Sequence, residues 1–221
     1  MLVLGTLLQL YVASCQQTFS VSVSVPVPDP CPHPFTDTHA SMNKPFKVEF
    51  SNLDWSYDFA HFEAWKKGMT GYPFVDAAMR QLAAIGWLNN RCRMVVASFL
   101  VKDLLIDWRL GEQHFMLSLI DGDFASNNGG WGFCASSGVD AQPYFRIFNA
   151  TTQSQKYGSA GDYIRKWVPE LAGLEDRDIH EPWAARIRSI TAKSGYPEPL
   201  VDHKLARAKA LAMFRAGLDK G

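Results

Sequence analysis

The sequence lacks the short motifs that identify several common classes of enzyme. It contains no phosphate-binding P-loop, no G-x-S-x-G turn, no H-E-x-x-H motif and no complete dinucleotide fingerprint. Its four cysteines form no C-x-x-C pair, and none lies at zinc spacing from a histidine. We therefore expect no metal site. We interpret Cys92, which lies in an apolar segment, as a buried thiol in a reducing compartment.

Long apolar runs and an excess of one charge are also missing. The opening MLVLGTLLQLYVAS is shorter than the roughly 20 residues that cross a bilayer, and it lacks the basic start of a secretion signal. We therefore expect no membrane segment and no secretion. The 22 basic and 22 acidic residues cancel, so net charge alone does not indicate a nucleic-acid partner.

The first 41 residues differ in pattern from the rest. No Lys or Arg precedes Lys44, and SVSVSVPVPDPCPHP alternates like a strand before it becomes rich in proline. This segment has none of the helical period that follows it. We interpret residues 1–41 as an unrelated, poorly ordered extension, and residues 42–221 as the folded part.

Helical spacing dominates the remainder of the chain. In TGYPFVDAAMRQLAAIG, Pro73 suits the first turn of a helix and Gly86 suits its end, with Val75, Met79 and Leu82 on one face. The segment NNRCRMVVASFLVKDLLIDWRLGE is apolar on nearly all sides, which predicts a buried helix. Further helices fit HFMLSLI, GDYIRKWVPEL and HKLARAKALAMFRAGL. With no confident strand in this region, the predicted fold class is an all-α helical bundle.

Two polar segments interrupt this pattern. In DGDFASNNGGWGF, Asp121 and Asp123 fit either a divalent metal or the cap of a helix and a turn. Before the buried segment, Asn90, Arg91 and Met94 suit contacts to phosphates or base edges. The alternative is that Asn90 caps the helix and Arg91 is solvated.

Tryptophan is plentiful, and its seven positions allow two interpretations. The positions are Trp55, Trp65, Trp87, Trp108, Trp131, Trp167 and Trp183. Some of these side chains must pack in the core or anchor the surface. A row of indole rings from the interior to the surface would instead pass an electron in hops.

Taken together, these segments resemble the FAD-binding domain of the photolyase/cryptochrome family, and within it the class I cyclobutane pyrimidine dimer photolyases of microbes. The resemblance is carried by FEAWKKGMTGYPFVDAAMRQL, GWLNNRCRM, ASFLVKDLLIDWRLGE, LIDGDFASNNGGW, PYFRIFNATTQSQK and YIRKWVPEL. It implies a helical bundle around FAD. It also implies light-driven repair of cyclobutane pyrimidine dimers in DNA, by electron transfer from reduced FAD.

The resemblance implies a role for individual residues of the flavin site. The expected FAD contacts are Arg93, Asp121, Gly122, Asp123 and Asn127. Arg93 would pair with Asp121, and Asn127 matches the asparagine beside flavin N5. Glycines 129 and 130 would let the chain pass close to its neighbours. The expected catalytic group comprises Asn127 and a relay of Trp131, Trp108 and Trp55 that runs from the flavin to the surface.

A second group matches the residues that contact the lesion and the DNA. Its members are Asn90, Arg91, Met94, Phe133, Arg146 and Gln153. Phe133 stands where the family has a tryptophan against the lesion. Photolyases for the (6-4) lesion carry two histidines at the positions of Asn90 and Arg91, which favours the cyclobutane dimer as the substrate.

Two family segments have no counterpart in this sequence: the T-S-x-L-S-P-type segment that cradles the FAD phosphates and the W-R-E-F-type helix. We therefore expect a partial, N-terminally truncated domain that retains FAD weakly. The alternatives are a cryptochrome-like photoreceptor, a DNA-binding module without repair, and an inactive fragment. We expect a monomer located with DNA, in the cytoplasm or the nucleus.

Overall fold

The computed structural model describes residues 45–51, 53–184 and 186–219. Within these ranges the chain forms helices and no strand, apart from one isolated parallel bridge between Ser56 and Ile106. The predicted all-α class is confirmed for this part of the chain. The predicted extension, residues 1–41, lies outside the described residues.

The described helices follow one another in short steps. They are α1 (Phe59–Lys66), α2 (Pro73–Ile85), α3 (Asn90–Ser98), α4 (Trp108–Ser118), α5 (Phe124–Cys134), α6 (Ala150–Tyr157), α7 (Asp162–Trp167), α8 (Arg188–Ser194) and α9 (His203–Leu218). Short 3-10 turns cover Val48–Phe50 and Pro169–Leu171, and a π turn covers Phe99–Asp103. In the described part of the chain, no helix has both the length and the apolar character needed to cross a bilayer.

Helix α2 has the ends and the buried face that its sequence predicts. Pro73 lies in the first turn, and Gly86 ends the helix in the left-handed conformation with φ of 67°. Val75, Met79 and Leu82 are all buried. The predicted boundaries of this helix are confirmed.

Asp and Asn side chains begin most of the longer helices. Asp58, Asn89, Asp107, Asp123, Asn149 and Asp202 each accept a hydrogen bond from a backbone N–H in the first turn of the helix that follows. Helix α3 is therefore capped by Asn89. The interpretation of Asn90 as its cap is wrong.

The predicted buried helix from residue 90 onward is broken in the middle. Helix α3 continues into the π turn, after which Leu105 has a positive φ of 56° and Asp107 caps α4. A β-branched or bulky residue rarely adopts this backbone, so apolar spacing alone could not reveal the break. The segment is buried along most of its length, as its composition predicts.

The packing brings α3, α4 and α5 side by side, because α5 contacts both α3 and α4. Helix α2 packs on α3, α6 and α7, and α9 packs on the π turn. Most buried side chains form one large hydrophobic cluster, and a smaller cluster lies around Ile164, Val168 and Ile179. The faces of α3, α4 and α5 thus frame the candidate site.

The glycine-rich segment that follows Asp123 is a helix. A side-chain carbon added at Gly129 or Gly130 would meet no described atom within 4 Å, so the expected close passage at these two glycines is wrong. Close approaches occur elsewhere. A carbon at Gly132 would lie 3.1 Å from the backbone of Gly138, and one at Gly111 would overlap the indole of Trp131.

Candidate functional site

A cavity of about 210 Å³ lies between α3, α4 and α5. Its apolar wall includes Met94, Ala97, Phe115 and Trp131, and its polar rim includes Asn90, Arg93, Asp121, Asp123 and Asn127. The cavity therefore brings together most of the residues predicted to contact FAD. The sequence places them on three separate segments, and the packing of α5 against α3 and α4 joins them.

Arg93 and Asp121 form an ion pair at the rim. Arg93 Nη2 donates to both carboxylate oxygens of Asp121, at 2.9 and 2.8 Å, while its Nε donates to the carbonyl of Leu88 at 2.8 Å. The expected pairing is therefore present. Gly122 follows Asp121 in a tight turn, where an added side-chain carbon would lie 3.3 Å from the carbonyl oxygen of Leu119.

Asp123 is the N-terminal cap of α5. Its carboxylate accepts a hydrogen bond from the backbone N–H of Ser126 at 2.8 Å. Hydrogen bonds from the Ser126 side chain and backbone lower the pKa of Asp123, so it is ionised at neutral pH. Among the described residues, no group of three or more His, Cys, Asp or Glu side chains is placed to hold a metal ion. The geometry assigns Asp123 the capping role that its sequence left open.

The amide of Asn127 is oriented by α4. Its Nδ2 donates to the backbone carbonyl of Glu112 at 2.9 Å, and the side chain is half-buried at the wall of the cavity. The neighbouring Glu112 is buried, and burial raises the pKa of its carboxyl. Because one end of the amide is fixed, Asn127 presents a defined polar group to whatever occupies the cavity.

Trp131 and Trp108 lie on the two helices that frame the site. Trp131 lines the cavity and packs edge-on against Phe115, with ring centroids 5.1 Å apart. Trp108 begins α4 and lines a second cavity of about 320 Å³, together with Gly129 and Gly132 of α5. The two indoles thus occupy adjacent helices, and Trp131 alone reaches the first cavity.

Trp55 is joined to the start of α4 through the backbone. Ser56 donates to the carbonyl of Leu105 at 2.7 Å and forms the isolated bridge with Ile106. Trp55 is only 7% exposed, because the ring of Phe214 covers it edge-on at 6.2 Å. The expected end of the relay at the surface is therefore not seen at Trp55, and the relay itself stays a prediction.

The residues expected to contact the lesion fall in different places. Asn90 and Met94 line the first cavity, whereas Phe133 lines the second. Arg91 does not line the first cavity, and its guanidinium lies over the ring of Tyr157 at the end of α6. Arg146 is exposed, and Gln153 lies on α6. The structure thus brings Asn90 and Met94 together with the FAD group and places the other four elsewhere.

Sequence reasoning gave no specific role to Trp65. This fully buried indole packs edge-on against Trp131 at 6.2 Å, stacks on Phe115 at 6.2 Å and donates to the carbonyl of Val96 at 3.1 Å. Its signal was the tryptophan itself within FEAWKKGM, but spacing along one short helix could not show that it touches α5.

Comparison with known proteins identifies the family. Residues 31–216 match the FAD binding domain of DNA photolyase. The chain belongs to this family. The match begins inside the segment that we interpreted as an unrelated extension, so the boundary at residue 41 stays a prediction.

The relatives of this photolyase-family chain are much longer than it is. It is 54% identical over 191 residues to the deoxyribodipyrimidine photo-lyase of Neurospora crassa. The aligned region covers 82% of this chain and 31% of the Neurospora protein. The identity to the Escherichia coli enzyme of the same name is 54% over 175 residues, and this alignment covers 79% of this chain and 37% of the Escherichia coli enzyme. The chain thus spans about a third of the length of these curated relatives.

Solved structures of the family share its fold. A bacterial class III photolyase from Agrobacterium tumefaciens superposes with a TM-score of 0.77 at 46% identity, covering 83% of this chain and 39% of that one. A Synechocystis cryptochrome superposes with a TM-score of 0.72 at 40% identity, covering 79% of this chain and 37% of the cryptochrome chain. The family membership predicted from the motifs is confirmed, while these two neighbours carry different functional names.

Proposed function

We propose that this chain forms part of the FAD site and the DNA-binding surface of a deoxyribodipyrimidine photo-lyase, which repairs cyclobutane pyrimidine dimers in DNA. The observation that carries the proposal is the meeting of Asn127, Trp131 and the Arg93–Asp121 pair around one cavity. Membership of the FAD-binding family gives this cavity its expected ligand.

The residues present fit one side of a flavin. Met94, Phe115 and Trp131 supply an apolar wall for a ring system, and Asp121 and Asn127 supply polar groups at its edge. Pockets that enclose a ligand of this size usually measure roughly 300–1,000 Å³, which exceeds the volume of this cavity. We therefore propose that the chain binds added FAD but retains it weakly.

Bound, reduced FAD would supply the light-driven electron donor for splitting the cyclobutane ring. The chain's own residues would orient the ligand and exclude water. Asn127, fixed by the carbonyl of Glu112, would present its amide to the ring edge. Arg93 would hold Asp121 at the rim with a charge-assisted contact.

The tryptophans would connect this site to the rest of the fold. Trp131 forms the cavity wall, Trp108 lies on the adjoining helix, and Trp55 is tied to the start of that helix. We propose that an electron passes between these indoles in the order Trp55, Trp108, Trp131. Because Phe214 of α9 covers Trp55, an external reductant would have to approach Trp55 from beside α9 to deliver its electron.

DNA would approach at the mouth of the cavity, where Asn90 and Met94 lie. A dimer within a duplex must leave the base stack to reach such a cavity, as it does in photolyases as a class. Arg91 and Arg146 would contact the backbone outside. We propose that the chain acts as a monomer in the compartment that holds the DNA, cytoplasm or nucleus.

The test combines an FAD titration with a repair assay. The purified chain should show saturable binding of added FAD. Blue light and a reductant should then split the cyclobutane dimers in dimer-containing DNA into separate thymine bases. Samples kept in the dark and undamaged DNA are the controls. Asp121→Ala should weaken FAD binding, whereas Asp162→Ala, at an exposed acid of α7, should not.

Three outcomes separate the candidate functions. Flavin binding with repair supports the photolyase. Flavin binding and photoreduction without repair, even with excess FAD, supports a photoreceptor of the same fold. Absence of both flavin and DNA binding identifies an inactive fragment and overturns the proposal.

A further inference from the structure

The side chain of Arg91 lies against two aromatic rings. Its guanidinium carbon is 4.6 Å from the ring centroid of Tyr157, at the end of α6, and 5.9 Å from that of Phe148 just before α6. Both distances are within the range of a cation–π contact. Arg91 therefore leans away from the cavity that its neighbour Asn90 lines, and across the gap between α3 and α6.

These contacts orient Arg91 without occupying its hydrogen-bond donors. In the described part of the chain, the contacts of the Arg91 guanidinium are to aromatic rings, and it forms no ion pair with a carboxylate. A guanidinium held over aromatic rings keeps its N–H donors available for the two parallel hydrogen bonds that a phosphate accepts. An unsupported Arg would have to lose its side-chain freedom when it binds.

The surroundings of Tyr157 suit an anionic partner. Tyr157 is 49% exposed, and Lys156 Nζ lies 5.4 Å from the centroid of its ring. Two cations, Arg91 and Lys156, thus lie over one partly exposed tyrosine ring.

We propose that Tyr157 is a positioning residue for DNA binding, which holds Arg91, together with Phe148, against a backbone phosphate beside the lesion. This inference rests on the proposed function, since it assumes that this surface binds DNA. It assigns Tyr157 a role that acts through Arg91. A ring that merely packs α6 on α3 would affect stability instead of the number of phosphate contacts.

The test is a set of binding isotherms on the full chain, repeated over a series of salt concentrations. The probe is a short DNA duplex that carries one thymine dimer and a fluorescent end label. The variants are Tyr157→Leu, Tyr157→Phe, Arg91→Ala and the double variant Arg91→Ala/Tyr157→Leu. Tyr57→Leu is the matched control, because Tyr57 is also an exposed tyrosine and lies in a different part of the fold. Thermal unfolding of each variant reports whether it folds.

The expected effects follow from the strength of an exposed cation–π contact. Tyr157→Leu should weaken binding about two- to fivefold. It should also reduce the slope of log K against log salt by up to about 0.9, which corresponds to one phosphate contact. Tyr157→Phe and Tyr57→Leu should bind like the unmodified chain. The double variant should bind like Arg91→Ala alone, because Tyr157 acts through that side chain.

Other outcomes overturn the inference in distinguishable ways. If Arg91→Ala weakens binding but Tyr157→Leu binds normally with an unchanged salt slope, the tyrosine does not position Arg91. If the two losses add in the double variant, Tyr157 contacts DNA independently. If the unmodified chain itself does not bind the duplex, DNA binding fails as part of the proposed function, and the positioning role fails with it.

Discussion

A single nitrogen of Arg93, Nη2, lies within hydrogen-bond distance of both carboxylate oxygens of Asp121, and Nε of the same guanidinium holds the carbonyl of Leu88. The pair thus fastens the turn before α5 to the end of the loop before α3. Because the Arg93–Asp121 pair borders the first cavity, it fixes the spacing between the α3 wall and the α5 wall of that cavity.

Replacement of Arg93 by Lys tests this relationship. Lys cannot hold Leu88 and Asp121 simultaneously with the geometry of the guanidinium. We expect Arg93→Lys to weaken FAD binding about three- to tenfold and to change the free energy of unfolding by less than ~1 kcal/mol, since the pair is partly exposed. Flavin fluorescence titration and urea unfolding measure the two effects. Arg188→Lys, at the exposed pair with Glu198, is the matched control. Equal FAD affinity in both variants contradicts the role of Arg93.

Gly111 faces Trp131 where α4 crosses α5. A side-chain carbon at this position would overlap the indole and lie 2.6 Å from Leu100 Cδ2. We expect Gly111→Ala to lower the free energy of unfolding by about 1–3 kcal/mol through overpacking, and to change the near-UV circular dichroism of the tryptophans. Gly129→Ala, in a helix with open space, should instead raise that free energy by about 0.5–1 kcal/mol. If both substitutions changed the free energy of unfolding in the same direction, the close packing of Gly111 on Trp131 would not be maintained in solution.

Lys102 is a fully buried amine in the π turn. Its Nζ donates to Ser136 Oγ at 2.9 Å and to the carbonyl of Tyr144 at 3.3 Å, and it lies 3.6 Å from the ring centroid of Phe214. Burial lowers the pKa of Lys102 from its ordinary value of 10.5 to about 7. Between these two values the unfolded chain binds the proton more strongly than the folded chain, so the contribution of Lys102 to stability rises with pH.

The variant Lys102→Met isolates this linkage. The free energy of unfolding of the unmodified chain minus that of Lys102→Met should increase from about pH 7 upward, with a slope of at most about 1.4 kcal/mol per pH unit. Urea unfolding at several pH values gives the difference directly. A difference that does not vary with pH above neutrality would mean that the three partners of the ammonium keep its pKa near the ordinary value.

Two buried tryptophans, Trp65 and Trp108, allow a test that distinguishes an electron relay from core packing. Trp108 belongs to the proposed row, whereas Trp65 touches Trp131 from the side of α1. With added FAD, blue light and an external reductant, we expect Trp108→Phe to slow photoreduction of the flavin strongly and Trp65→Phe to leave its rate nearly unchanged. Both substitutions remove similar volume, so each should cost about 1–3 kcal/mol of stability. Equal rates in the two variants argue against the row.

The ends of helices were the features most readily predicted from sequence, because they depend on local chemistry. Pro73 and Gly86 bound α2 through their own backbone preferences. The break between α3 and α4 could not be predicted, since it depends on Leu105 adopting a left-handed backbone within an apolar run. Tertiary packing stabilises that conformation, and the spacing of apolar residues in the sequence does not predict it.

The candidate site shows the same division between local and long-range information. Asp121, Asn127 and Trp131 could be named from one motif, and they do meet at one cavity. The separation of Phe133 from Asn90 and Met94 arises from the turn of α5, which directs Phe133 to the opposite side of that helix. The cover of Phe214 over Trp55 arises from the docking of α9, about 160 residues later in the chain.

The π turn has a consequence for α9 as a whole. Its consecutive residues Lys102 and Asp103 contact two separate points of that helix: Lys102 lies against Phe214, and the Asp103 carboxylate lies 2.5 Å from Nδ1 of His203, the first residue of the helix. These two anchor points are eleven residues apart, about 16 Å along the helix axis. Inserting or deleting one residue between them would rotate one anchor off its partner by about 100°. The number of residues between His203 and Phe214 is therefore fixed, although the Ala, Lys and Arg residues between them would tolerate many substitutions.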